Sequence, residues 1–209
     1  MIKFLDAKSK NYQTKLINFL ESRRSGKNID TTIVKKILKD VKLNKNKALL
    51  KYEKKFGNNN SIKIKDNELK ASIESLEYKI KKSIDLAYTR IFNFHKKQRR
   101  KNIYYKDKYN NKLAYKYVPL QSVGIYVPAN LPSTLLMNSI PAKIAGVKRI
   151  VLANPKLDGK LNPAVLYAAK KVGIKEIYSM GGAQAIASLA YIQKVNKIVG
   201  PGNIYVARS

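Results

Sequence analysis

The segment VGIYVPANLPSTLLMNSIPAKIAGVKRIVLA, residues 123–153, decides the fold of this chain. It begins with a short apolar run that is typical of a buried strand, continues with apolar residues at helical spacing, and ends with a second short apolar run. The same order recurs twice in the residues that follow. Predicted strands lie at 123–127, 149–153, 176–180 and 197–199, with predicted helices between them at 132–147, 163–172 and 183–191. Strands that alternate with helices indicate an α/β fold with a parallel sheet and right-handed crossovers.

Local signals at the ends of one helix support this reading. Asn162 precedes Pro163, which gives a helix N-cap followed by proline at the first helical position. Gly173 stands where the helix should end, in the C′ position that favours glycine. The spacing therefore predicts a helix over residues 163–172.

The first hundred residues are almost free of proline and indicate helices. Apolar spacing predicts one helix after Asp30, its expected N-cap, and a second helix that Gly57 closes in the C′ position. The apolar positions of residues 66–98 step by threes and fours, which predicts one long helix of roughly 50 Å at 1.5 Å per residue. Residues 103–118 alternate weakly and suggest one or two strands in a hairpin.

The charge of the chain is unusual. Among the 209 residues there are 43 lysines and arginines but only 13 acidic residues, which gives a net charge of +30 and a pI near 10.1. Such a balance often indicates nucleic-acid binding. However, only seven of the basic residues are arginine, the residue that reads phosphates and bases through its bidentate fork. We interpret the charge as a compositional bias, with polyanion binding as an alternative.

The composition also bears on location and chemistry. The absence of cysteine excludes disulfides, thiolate nucleophiles and zinc–sulfur sites. The first twenty residues lack the apolar run of a signal peptide, and no run of about 18 apolar residues would span a membrane. We therefore expect a cytoplasmic protein without a membrane partner.

Three loops follow predicted strands and are candidate ligand sites. Their sequences are PANLP at 128–132, GGAQ at 181–184 and GPGN at 200–203. Ligands of parallel sheets bind at the carboxyl ends of the strands, and glycines allow backbone N–H groups to approach a ligand closely. None of the loops is a dinucleotide fingerprint or a P-loop, so each alone is better explained as a tight turn than as a phosphate-binding loop. Their recurrence at successive strand ends favours a ligand site.

Few other residues could carry chemistry. The single histidine, His95, lies among basic residues near the end of a predicted helix, where a packing or surface role is expected. Only two acidic residues, Asp158 and Glu176, follow residue 118. We therefore expect neither a metal site nor an acid–base pair in this chain.

Four stretches of the second half carry a family resemblance: PLQSVGIYVP at 119–128, LMNSIPAKIAGVKRIVLANP at 136–155, LNPAVLYAAKKVGIKEIYSMGGAQAIASLAY at 161–191 and VNKIVGPGNIYVA at 195–207. They resemble the first α/β portion of bacterial histidinol dehydrogenases. The combination of GGAQAIA with KIVGPGN is specific to that family. The helical half is similar more loosely, through DVKLNKNKALLKYEKKFG at 40–57 and FNFHKKQ at 92–98. The resemblance spans nearly the whole chain, but only about the first half of a family member.

The resemblance implies a helical N-terminal region, 1–102, followed by a Rossmann-like parallel-sheet unit, 103–209, that is incomplete relative to the family. The family oxidises L-histidinol to L-histidine through an aldehyde, reduces two NAD and uses zinc to hold the substrate; its members are homodimers. The family's NAD contacts fall on Tyr126, Gln184 and Asn203. Their hydroxyl and amide groups suit an uncharged nicotinamide–ribose unit. The alternatives are that Tyr126 only packs and that Asn203 caps the helix that follows it.

Other family features have no counterpart here. The zinc ligands and the Glu–His acid–base pair of the family lie beyond the matched half, so we expect no catalytic or metal-binding residue in this chain and no turnover by the chain alone. The loop at 129–131 is shorter than in the family. Ile192-Gln193 replace a longer segment, and Asn196 replaces an aspartate. Both differences are expected to border the NAD crevice.

Three interpretations remain open from the sequence. The chain is the N-terminal portion of a shortened histidinol dehydrogenase, or one half of a split enzyme completed in trans by a second polypeptide. The third, from another class, is a basic remnant that binds nucleic acid.

Overall fold

The computed structural model describes residues 4–24, 31–64, 66–157, 159–207 and 209. The chain forms two compact units, Met1–Ile33 and Val34–Ser209. In the first unit, helix α1 spans Tyr12–Arg24 and follows a turn in which the backbone N–H of Ser9 donates to the Asp6 carbonyl oxygen. The expected N-cap, Asp30, lies outside the described residues.

The second unit contains the sheet and the helices around it. In chain order its elements are α2 (Thr32–Gly57, whose first two residues belong to the first unit), α3 (Asp66–Glu74), α4 (Tyr78–Lys96), β1 (Ile103–Lys106), β2 (Lys112–Tyr115), β3 (Ser122–Tyr126), α5 (Pro132–Ile144), β4 (Arg149–Ala153), α6 (Pro163–Val172), β5 (Glu176–Tyr178), α7 (Gly182–Tyr191), β6 (Lys197–Val199) and α8 (Ile204–Ala207).

The main sheet has four strands in the order β5-β4-β3-β6, and every neighbouring pair is parallel. The predicted α/β fold with a parallel sheet is therefore confirmed. Strand β5 ends two residues earlier than expected, because the backbone N–H of Ser179 leaves the ladder and donates to the Ile62 carbonyl oxygen at 2.7 Å. The sheet thus gains a contact with the segment that follows α2.

Strand β3 is buried along its whole length and separates two apolar layers. Val123 and Ile125 face a core formed with α5 and α6, behind which α3 and α4 pack. Tyr126 faces the opposite layer, which includes residues of α7 and α2. On this side Gly124 allows close packing, because a Cβ there would lie 3.0 Å from the side chains of both Leu189 and Val195.

The predicted single helix over 66–98 is wrong. Helix α3 ends at Glu74 and α4 begins at Tyr78, and between them the N–H of Leu76 makes a tight-turn bond to the Ile73 carbonyl oxygen. Both helices pack against α6, whose ten residues span only about 15 Å. A straight helix of roughly 50 Å could not pack both of its halves against a helix as short as α6. The predicted helix is therefore interrupted between α3 and α4, and Leu76 is buried at the bend.

Other local predictions are confirmed, with one correction. The Asn162 side chain accepts from the N–H groups of Ala164 and Val165, and Gly173 adopts a left-handed conformation with φ 91°. Residues 103–118 contain the antiparallel hairpin β1–β2.

Helix α2 is bent at Lys45 (φ 48°), which separates the two predicted helical segments. The left-handed residue at its end is Asn58 (φ 44°) instead of Gly57, since an asparagine also tolerates this conformation. The expected domain division at residue 102 remains a prediction.

Candidate functional site

The carboxyl ends of the four parallel strands lie along one edge of the main sheet, as the sequence predicts. The loop 128–132 follows the central strand β3, and the loop 200–203 follows its neighbour β6. The candidate segment 181–184 forms the N-cap and first turn of α7 instead of a loop, and residues 179–180 connect it to β5. The three candidate loops therefore leave the same edge of one sheet.

Tyr126 is the last residue of β3 and is 7 % exposed. Its hydroxyl oxygen accepts a hydrogen bond from the backbone N–H of Gly182, at 3.4 Å, at the start of α7. Burial raises the pKa of the Tyr126 phenol, so the hydroxyl stays protonated at neutral pH and can still donate its own proton.

Gln184 is 4 % exposed and lies in the first turn of α7. Its amide nitrogen Nε2 donates to Oε1 of Glu53 at 3.0 Å. No hydrogen bond within the described ranges uses the amide oxygen of Gln184, so this oxygen is available as an acceptor. Tyr126 and Gln184 therefore meet at the N-terminus of the same helix.

Glu53 is a member of the site that the sequence reasoning missed. Its side chain is 2 % exposed, and Oε1 accepts from the N–H of Gly181 at 3.0 Å as well as from Gln184. Burial raises the pKa of the Glu53 carboxyl, while hydrogen bonds from Gly181, Gln184 and Asn59 act in the opposite direction. A signal was present in the sequence, since Glu53 follows Leu49 by four residues and so belongs to the apolar face of α2.

We refer to Tyr126, Gly181, Gly182, Gln184 and Glu53 as the Glu53 cluster. In this cluster the first two N–H groups at the start of α7 bond to a carboxylate and a phenol of the protein itself. They are therefore not free to bind a phosphate, and the nearby carboxyl disfavours an anion. The cluster suits a polar, uncharged part of a ligand.

Asn203 is exposed and lies in the loop after β6. Its Oδ1 accepts from the N–H of Val206 at 3.1 Å, so the side chain caps the short helix α8 and leaves its amide nitrogen as a donor. Three residues earlier, Gly200 (φ 138°) lies so close to β3 that a Cβ would overlap the Tyr126 carbonyl oxygen. This loop therefore abuts the backbone of Tyr126, although no hydrogen bond joins Asn203 to the Glu53 cluster within the described residues.

Asn154, directly after β4, is a second residue that the sequence reasoning missed. It is fully buried, and its amide nitrogen donates to the carbonyl oxygens of Val127 at 2.9 Å and Pro128 at 3.3 Å. Its own N–H donates to the Tyr178 carbonyl oxygen at 3.0 Å. Asn154 therefore links the first candidate loop to the ends of β4 and β5 by hydrogen bonds. Its position immediately after a predicted strand is the signal that could have found it.

One expectation about the altered loops is wrong. The residues 129–131 lie at the carboxyl edge, as expected, but the segment after α7 lies at the opposite edge of the sheet. There Asn196 accepts from the N–H of Ser122, the first residue of β3, and the Gln193 carbonyl oxygen accepts from Arg149, the first residue of β4. The four steps along β3 from Ser122 to Tyr126 amount to about 13 Å. The segment 192–196 therefore does not border the candidate site.

The remaining chemical candidates have other partners. His95 Nδ1 lies 2.7 Å from Gln98 Oε1 near the end of α4, and Glu176 forms a 2.7 Å ion pair with Arg149. Asp158 lies outside the described residues. The described ranges contain no group of three or more histidine, cysteine, aspartate or glutamate side chains that could hold a metal ion, so they do not fit zinc. Among the same residues, no helix combines the length and apolar character needed to cross a membrane.

The contact of Gly200 with Tyr126 leads to a first prediction. Gly200→Ala should destabilise the fold more than Gly159→Ala, because both glycines have positive φ but only Gly200 has a backbone atom in the way of a Cβ. The left-handed backbone alone should cost about 1 kcal/mol in either variant, and the displaced loop should add at least about 1 kcal/mol at residue 200. Urea unfolding followed by circular dichroism measures both. Equal losses of unfolding free energy would contradict the contact.

The raised pKa of Glu53 leads to a second prediction, on pH. The folded state binds the Glu53 proton more tightly than the unfolded chain does. The contribution of this proton to the unfolding free energy is therefore fully present below the ordinary pKa of 4.5. It is lost as the pH rises through the raised pKa. Relative to Glu53→Gln, the unaltered chain should therefore lose unfolding free energy as the pH rises above 4.5, with a slope of about 1.4 kcal/mol per pH unit until the raised pKa is passed.

The control for this titration is Glu74→Gln, since Glu74 is exposed. A Glu53→Gln difference that is flat, or that grows in favour of the unaltered chain as the pH rises, would show that burial does not dominate at Glu53.

The chain is similar to known proteins. The family model described as histidinol dehydrogenase matches residues 21–209. A histidinol dehydrogenase of Pelagibacter ubique is 55 % identical over 214 residues, which cover 99 % of this chain and 50 % of that protein. The histidinol dehydrogenase of Caldanaerobacter subterraneus is 46 % identical over 187 residues, which cover 83 % of this chain and 43 % of that protein.

A solved structure is similar as well. The crystal structure of histidinol dehydrogenase from Elizabethkingia anophelis superposes with a TM-score of 0.83 at 36 % sequence identity, and the match covers 88 % of this chain and 45 % of that one. This chain thus spans about half the length of the curated relatives that it matches. With the family model matched over most of its residues, the chain belongs to the histidinol dehydrogenase family.

Proposed function

We propose that this chain is the cofactor-binding part of a histidinol dehydrogenase and that it binds NAD at the carboxyl edge of the main sheet. In this proposal residues 103–209 form the NAD-binding portion, residues 1–102 form the helical region, and Tyr126, Gln184 and Asn203 contact the cofactor. The observation that carries the proposal is that Tyr126 and Gln184 share one hydrogen-bonded cluster at the start of α7.

The chemistry of the available groups fits the uncharged nicotinamide–ribose part of NAD. Tyr126 offers a protonated hydroxyl, Gln184 an amide oxygen without a hydrogen bond inside the described ranges, and Asn203 an amide nitrogen. Hydroxyl and amide groups bind ribose hydroxyls and a carboxamide without imposing a charge. Because residue 200 is glycine, the loop after β6 can pack closely against the end of β3 beside these groups. When bound, NAD would supply the hydride acceptor.

The full reaction is also part of the proposal. It is the family's oxidation of L-histidinol to L-histidine through the aldehyde, the last steps of histidine biosynthesis, in a cytoplasmic homodimer. The role of this chain is to bind and orient NAD. We propose that the zinc site and the acid–base pair come from the half of the family's sequence that this chain does not match, either in a longer protein or in a separate polypeptide.

The proposed NAD site leads to a third prediction. Calorimetric titration of the chain with NAD should give weak binding, because the expected site draws on only half of a family member. Gln184→Ala, Tyr126→Phe and Asn203→Ala should each reduce the affinity about two- to tenfold, the effect of losing one neutral hydrogen bond. Lys112→Ala, in the exposed strand β2, is the control and should leave the affinity unchanged. Tight binding that survives all three site substitutions would place the cofactor elsewhere.

The proposal that this chain binds NAD but lacks the zinc site and the acid–base pair leads to a fourth prediction. The purified chain should not reduce NAD in the presence of L-histidinol, with or without added zinc, because general acid–base catalysis needs a group within hydrogen-bond reach. Absorbance at the NADH band measures the reaction, after removal of any host enzyme. Restored turnover on mixing with a polypeptide that carries the second half would support the split-enzyme alternative, and turnover by the chain alone would refute the prediction.

A further inference from the structure

The Glu53 carboxyl connects two helices that are far apart in the sequence. It extends from α2 to the start of α7, where its Oε1 accepts from both the Gly181 N–H and the Gln184 amide nitrogen, each at 3.0 Å. Its Oε2 lies on the side of Gly57, where a Cβ would be 2.9 Å away. One oxygen of the carboxyl therefore accepts hydrogen bonds in the candidate site, and the other faces the end of α2.

The way in which this carboxyl is held is unusual for so basic a chain. Although the sequence has 43 lysines and arginines, no cation among the described residues pairs with Glu53. The donors from which its Oε1 accepts, the Gly181 N–H and the Gln184 amide, are uncharged. A buried carboxyl without a counterion is costly, so the hydrogen bonds that Glu53 accepts from Gly181 and Gln184 are the interactions that offset its burial.

The hydrogen bonds dictate the orientation of the Gln184 amide. Glu53 Oε1 is an acceptor when the carboxyl is ionised, and it remains the acceptor of the Gly181 N–H when the carboxyl is protonated on its other oxygen. If the Gln184 amide turned over, its oxygen would lie about 3 Å from Glu53 Oε1, and the two acceptors would repel each other. Glu53 therefore keeps the Gln184 nitrogen inward and the Gln184 oxygen free for another partner.

We propose that Glu53 is a positioning residue for the cofactor: it holds the Gln184 amide so that its oxygen accepts a hydrogen bond from a donor group of NAD. This inference rests on the proposed function of the site. It also restricts the contact, because an acceptor oxygen takes a ribose hydroxyl or the carboxamide NH₂ of NAD and repels a phosphate or carbonyl oxygen. The competing explanation is that Glu53 only anchors the loop at Gly181 and acts on stability alone.

A double-mutant cycle with NAD titration separates these explanations. Glu53→Ala should weaken NAD binding about two- to tenfold, as Gln184→Ala does. Because Glu53 acts through Gln184, the double variant should bind NAD no more weakly than Gln184→Ala alone. Glu53→Gln should stay within about threefold of the unaltered chain, since its carbonyl oxygen can accept both hydrogen bonds. Glu74→Ala, an exposed glutamate, is the matched control.

The outcomes distinguish the inference from the proposed function. If Gln184→Ala weakens binding but Glu53→Ala does not, or if the two losses multiply in the double variant, the positioning role is refuted and the NAD site stands. If none of the substitutions at Tyr126, Gln184 and Asn203 changes the affinity, the proposed function itself fails.

A second measurement needs no ligand and keeps the inference testable if NAD binding is too weak to titrate. In ¹H–¹⁵N spectra the side-chain amide signals of Gln184, assigned by their loss in Gln184→Ala, should be well separated from those of exposed glutamines. They should remain so in Glu53→Gln and move toward the exposed positions in Glu53→Ala, while the backbone signals of β3 and β4 persist. Unmoved Gln184 signals in Glu53→Ala would overturn the inference. Should Glu53→Ala fail to fold, Glu53→Asp, whose shorter side chain withdraws the acceptor, replaces it under the same criteria.

Discussion

The parallel pairing of β3 with strands on both of its sides is the constraint on which the rest of the structure depends. Each residue of β3 is buried, so one face must meet α5 and α6 and the other must meet α7. Because β4 and β6 run in the same direction as β3, the loops that follow them leave the same edge of the sheet. Tyr126 ends this strand, and the candidate site is assembled around it.

The helical half of the chain takes part in the site. Glu53 of α2 binds the start of α7, and the Asn59 side chain donates to the Ser179 carbonyl oxygen at 2.6 Å, just after β5. Both contacts join segments more than a hundred residues apart. The candidate site therefore includes a carboxyl of the helical half as well as the glycine-containing loops.

Regular features could be predicted from the sequence, while features that depend on distant contacts could not. The strands and the caps at Asn162 and Gly173 follow from local spacing and turn chemistry. The break between α3 and α4 does not, because its cause is the shared packing against α6, which lies some ninety residues further along the chain. Glu53 was overlooked for a similar reason: its partners, Gly181 and Gln184, become neighbours only when the helix packs on the sheet.

We propose that this member of the histidinol dehydrogenase family binds NAD at the carboxyl edge of the sheet through the groups gathered at the start of α7. A crystal structure of the chain grown in excess NAD tests it most directly. Density for the nicotinamide–ribose unit should lie against Tyr126 and Gln184, with a donor group of the cofactor facing the Gln184 amide oxygen. Cofactor density at any other surface, or a carboxyl edge without cofactor at saturating NAD, would contradict the claim.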